Sequence, residues 1–141
     1  MSNTHTLHTY IHFDGRCEEA IAFYQQAVGA VQLMLSRYKE APQDSPGQPC
    51  PPGSENKIMH ARLNIGGTTV MMSDGPCSGR YEGFSLTLVA STPAEAERLF
   101  AALSPGGKVD MPLAKTFFSP AFGMLTDRFG VKWMVLVHDA I

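Results

Sequence analysis

His8, Tyr10 and His12 alternate through Leu7 to Phe13 (LHTYIHF), a period that sends all three side chains to one face of a strand and Leu7, Ile11 and Phe13 to the other. A catalytic divalent cation needs three or four N or O donors converging at about 2.0 to 2.2 Å, with one position left open. His8 and His12, four residues apart on a strand, stand about 13 Å from each other, too far to share a metal directly. Histidine on a sheet is more often a hydrogen-bonded structural group than a ligand. Cys17, at the start of a helical pattern, sits where a thiol pKa can fall, but no His neighbours it in sequence. Asp74, Asp127 and Arg128 fall in turns, where Asp commonly bonds backbone groups. No phosphate-cradling glycine loop, nucleophile elbow or zincin motif occurs.

The chain bounds these groups. With 141 residues and 44% hydrophobic content it can bury one substantial core, which predicts a single domain over 1–141. A net charge of -2 with interspersed signs gives no footprint for nucleic acid or an anionic membrane. No apolar run nears the roughly 20 residues of a transmembrane helix, and the first residues lack a signal peptide's pattern. The expectation is a cytoplasmic protein. Cys17, Cys50 and Cys77 lack C-x-x-C spacing and read as free thiols.

Two halves of the sequence repeat one element order. In a first module over 5–75, the strand Leu7 to Phe13 precedes a helix over Cys17 to Val28, with Glu18 and Glu19 in its first turn and Gly29 as its stop. A strand over Val31 to Tyr38 follows, then a loop over 41–56 containing five prolines, long enough to be mobile or placed over something. Strands Lys57 to Ile65 and Thr68 to Ser73 flank the hairpin signal Gly66-Gly67. In a second module over 82–141, a strand over Phe84 to Val89 precedes a helix over Pro93 to Leu103, capped by Ser91 or Thr92. Strands near Lys108 to Met111, Met124 to Thr126 and Val131 to Val137 complete it, the last two joined through Asp127 to Gly130. Ala20, Phe23, Tyr24 and Ala27 map onto Ala96, Leu99, Phe100 and Leu103 at a constant offset of 76. Trp133 alternates with Val131, Val135 and Val137 and is expected in the core; Phe117, Phe118 and Phe122 form a lid, an interface or ordinary packing.

The segment Tyr10 to Tyr24 (YIHFDGRCEEAIAFY) resembles the opening strand and helix of the PhnB-like branch of the vicinal oxygen chelate superfamily, which includes glyoxalase I, bleomycin-resistance proteins, fosfomycin-resistance enzymes and extradiol dioxygenases. Val70 to Asp74 (VMMSD) and Phe122 to Met134 (FGMLTDRFGVKWM) resemble its other signatures, so the resemblance covers nearly the whole chain. It implies an α+β fold of two βαβββ modules whose curled mixed sheet surrounds a concave cavity. It also implies a homodimer. Because one scaffold hosts several reactions, the resemblance does not choose among them.

In metal-dependent members four ligands, usually His and Glu, come from strands near the start and end of each module. Carried over residue by residue, the positions fall on His8, on Met71 or Met72, on Ser85 or Phe84, and on Met134. Thioether sulfur is too soft to replace glutamate for Zn, Ni, Mn or Fe(II). A displaced site would draw on His8 or His12 with His60 and Asp74, so His8 and His60 are the metal candidates and a full site is not expected. The leading expectation is therefore a cavity lined by His8, Tyr10, His12, His60, Met72, Ser85 and Met134 that binds a small, partly apolar molecule with no cofactor. The alternative is a metal-dependent lyase, transferase or dioxygenase with a reduced or displaced site. A methyltransferase, a label the branch also carries, would need a recognisable S-adenosylmethionine site, normally in a parallel α/β sheet with a glycine-rich turn, and no such unit is visible.

Overall fold

The computed structural model describes residues 4–41, 52–75 and 78–138. Its contacts divide the chain into two compact units, Met1–Ser78 and Gly79–Ile141, and each is a βαβββ module with one four-stranded mixed sheet.

In the first unit, β1 (Thr9–His12) leads into α1 (Cys17–Val28), followed by β2 (Val31–Arg37), a short 3-10 turn over Tyr38–Glu40, β3 (Ile58–Ile65) and β4 (Thr68–Ser73). The strand order is β1-β4-β3-β2, with β1 parallel to β4 and the other pairs antiparallel. A parallel pair needs a crossover, and α1 supplies it. The helix stops at Gly29, whose φ of 67° lets its N–H turn back to the Tyr24 carbonyl. Gly66 and Gly67, at φ of 58° and 85°, form the tight turn between β3 and β4.

Cross-strand partners fix which side chains share a face. Ile11 and Ala61 flank Met72 from either side, and Val70 pairs with Leu63; all five are buried on the face that receives Ala20, Ile21 and Tyr24 of α1. The opposite face carries Tyr10, His12, His60, Arg62, Met71 and Ser73. The first strand begins two residues later than its alternation predicts, because Leu7 gains nothing from pairing and is 94% exposed. Most of the proline-rich stretch 41–56, and Cys50 and Cys77, lie outside the described residues.

The second unit runs β5 (Leu86–Ala90), α2 (Pro93–Leu103), β6 (Lys108–Ala114), β7 (Phe122–Thr126) and β8 (Lys132–Val137), in the order β5-β8-β7-β6. Thr92 caps α2 by accepting the Glu95 N–H, and Pro93 occupies the first turn, where its missing donor costs nothing. The last strand of the sheet, β6, extends to Ala114 through Pro112, beyond the predicted Met111. An edge strand tolerates proline, and the register slips between Met111 and Ala114. Trp133 is buried and donates its indole N–H to Asp127 at 2.8 Å. Phe122 is buried within β7, whereas Phe117 is 96% exposed and stacks edge-on with Phe118.

Candidate functional site

On the face of the first sheet opposite α1, Tyr10 lies between two imidazoles. Its ring stacks on His12 with centroids 4.6 Å apart, and its hydroxyl lies 3.2 Å from His60 Nδ1. The register explains the grouping. Tyr10 and His12 project from β1 to one side, His12 pairs with Ser73, and His60 precedes Ala61, which pairs with Met72 of the strand between them. His12 Nδ1 lies 3.5 Å from the Ser73 hydroxyl. A methyl group on Gly75 would come within 2.7 Å of His12 Nδ1, so the absent side chain there leaves room for the ring. Burial, and then the neighbouring Arg62 guanidinium, hold the His60 imidazole below its ordinary pKa. Near neutral pH it is therefore uncharged, with one ring nitrogen donating and one accepting.

Not every predicted residue joins this group. Met72 is fully buried against the helix side, while its neighbour Met71, paired with both Tyr10 and Arg62, stands on the open face. Two adjacent methionines on a strand must point to opposite faces, and the pairing of Met71 with Tyr10 decides which is which. Arg62 was not anticipated, although the alternation His60, Arg62, Asn64 in β3 carried the signal.

His8 precedes β1, is exposed, and lies within 3.3 Å of the Thr6 hydroxyl. With His5, Thr6 and Leu7 it lines a shallow groove of about 540 Å³ bounded by Gly67, Thr68 and Thr69. The side chain whose polar tip meets His60 is Tyr10, two positions beyond His8 in the chain. Asp74 is also committed elsewhere: one carboxylate oxygen accepts the Cys17 N–H at 2.9 Å, the other the Ile58 N–H at 3.0 Å. Among the described residues no three His, Cys, Asp or Glu side chains are grouped to hold a metal ion. The donor set thus does not fit the four-ligand centre that the fold implies.

Ser85 and Met134 belong to the second unit. Ser85 is half-buried just before β5; Met134 pairs with Thr87 and is half-buried on the face opposite Trp133 and Val135. Cys17 is no nucleophile, since burial, reinforced by the Asp74 and Glu18 carboxylates, pushes its thiol pKa far up.

This architecture is the glyoxalase-type fold. The glyoxylase/bleomycin resistance protein/dioxygenase domain from Frankia sp. EAN1pec shares the fold at a TM-score of 0.64 and 13% identity, over 99% of each chain. The chain belongs to the family described as 3-demethylubiquinone-9 3-methyltransferase, whose model matches residues 5–136. Protein YjdN of Escherichia coli (strain K12) is 40% identical over 139 residues, 93% of this chain and 94% of that one. The crystal structure of protein PA1353 from Pseudomonas aeruginosa is 40% identical, with a TM-score of 0.81 over 96% of this chain and 98% of that one. The putative 3-demethylubiquinone-9 3-methyltransferase, PhnB protein, from Bacillus cereus is 28% identical, with a TM-score of 0.75 over 94% and 99%.

Proposed function

We propose that the protein binds a small, partly apolar molecule on the open face of its first sheet, without the four-ligand metal centre of its catalytic relatives. The observation that carries this reading is the Tyr10, His12 and His60 cluster, in which aromatic faces and hydrogen-bonded polar tips stand beside the Met71 thioether. Such a mixture suits a ligand whose apolar body is buried and whose few polar atoms are oriented. The methyltransferase in the family's description finds no support in the described sheets. Both are mixed rather than parallel, and the donor site such an enzyme normally uses sits at a glycine-rich turn of a parallel sheet.

Titration of ¹⁵N-labelled protein with 2-naphthol, a neutral aromatic probe, is expected to shift the amides of residues 10–12, 60–62 and 71–73, with roughly tenfold weaker binding in Tyr10→Ala, about the worth of one good aromatic contact. Shifts confined to other segments would sink the reading. So would near-stoichiometric retention of Ni, Zn, Mn or Fe(II) after desalting, measured by inductively coupled plasma mass spectrometry and lost in His60→Ala, which would restore a displaced metal enzyme.

The same reading includes a homodimer. Val31, Leu33, Val89, Met111 and Phe117 all leave large apolar surface uncovered in a single chain, the kind of surface that marks an interface when contiguous. Light scattering is expected to give twice the 15.3 kDa chain mass. A monomer at micromolar concentration would remove this part of the proposal.

A further inference from the structure

The charge on the open face of the first sheet is one-sided. The whole chain carries 13 acidic residues against 11 lysines and arginines, yet none of the strands β1 to β4 contains an Asp or a Glu. Their charged residues are Arg37 and Arg62 alone. Arg37 is already satisfied by the Glu18 carboxylate and the Asn56 carbonyl. Arg62 is exposed and makes no ion pair among the described residues.

Its neighbours are ordered across the strands. One row runs Tyr10, Met71, Arg62, Met34, each paired with the next. Adjacent strands lie about 4.8 Å apart, so the Tyr10 and Arg62 backbones are separated by about 10 Å, with a thioether between them. Tyr10 and His60 satisfy each other's polar tips, and the uncharged His60 neither repels nor neutralises what Arg62 attracts. The unbalanced group on this face is the guanidinium, whose planar fork of donors matches a carboxylate or a phosphate.

We infer that this face takes a small oxyanion, a carboxylate or a phosphate monoester, carried on an apolar and preferably aromatic body, with Arg62 holding the anionic group and Tyr10 and Met71 covering the body. The inference rests on the proposed binding face and names the class of ligand it selects.

Benzoate, phenyl phosphate and the neutral isostere benzamide provide the test, each titrated into the full-length protein in 50 mM salt with amide shifts as readout. At least one of the two anions is expected to bind tenfold or more tightly than benzamide, with shifts at residues 10–12, 60–62 and 71–73. Arg62→Gln should bring that anion to the level of benzamide and leave benzamide unchanged, and Arg62→Lys should restore part of the difference. Whichever anion responds identifies the oxyanion. Equal binding of all three probes at this face would overturn the oxyanion inference while the binding face stands. An anion preference that survives Arg62→Gln would overturn the role of Arg62. Absence of any probe from this face would overturn the inference and the binding reading together.

Discussion

Replacing Asp74 by Ala is expected to cost about 3 kcal/mol of stability, because the carboxylate accepts two backbone N–H groups and charge-assisted bonds of this kind contribute about 1.5 to 3 kcal/mol each. The side chain is buried and ties two segments together, the first residue of α1 through Cys17 and the start of β3 through Ile58, while the Asp74 backbone carbonyl separately accepts the Tyr38 hydroxyl at 2.9 Å. Alanine would leave both N–H groups without their partner in a place that water reaches poorly. Urea unfolding followed by circular dichroism should show the midpoint fall with the slope unchanged. A midpoint within about 0.5 kcal/mol of the parent, the range of an ordinary surface substitution, would mean that the carboxylate is dispensable there.

The second unit has a counterpart in Asp127. One of its oxygens accepts the N–H groups of Phe129 and Val131, closing the β7 to β8 turn, and the other accepts the Trp133 indole N–H. Asp127→Ala should likewise cost about 3 kcal/mol, since three donors lose a charged acceptor. Trp133 is the single tryptophan of the chain, so its emission reports this unit specifically. A red shift in the folded variant and an earlier unfolding midpoint by fluorescence are the expected results; an unchanged emission maximum together with an unchanged midpoint would contradict the account.

These two aspartates show where sequence reading stops. Both sit in turns, and turn chemistry was the expectation for them, but Asp74 was also weighed as a metal ligand. What settles its role is contact with residues 57 and 16 positions away, which no local pattern encodes. Local signals fared better where the physics is local. The spans of α1 and α2 match the expectation because Gly29 and Thr92 with Pro93 define their ends within a few residues. The start of β1 was misplaced because alternation continues through Leu7 while hydrogen bonding does not. On the candidate face, alternation groups Tyr10 with His12, whereas the contact of Tyr10 with His60 spans 50 positions and depends on strand order. The choice between Met71 and Met72 was not legible, since identical residues in succession give alternation nothing to distinguish. Arg62 shares the alternation of His60 and Asn64 in β3, but a single exposed guanidinium carries no motif that sets it apart in sequence.

In each unit the first strand lies parallel to the last, with β1 beside β4 and β5 beside β8. Two parallel neighbours start at the same side of the sheet, so a chain that enters a module at the foot of its first strand leaves at the head of its last, a strand length away. Had the pair been antiparallel, the two termini would sit together, and a tandem copy would have to begin where its predecessor began. A second copy of the module can therefore follow the first head to tail without rerouting the polypeptide. A dozen residues, 74–85, separate β4 from β5, and the same order of elements lies on either side of them.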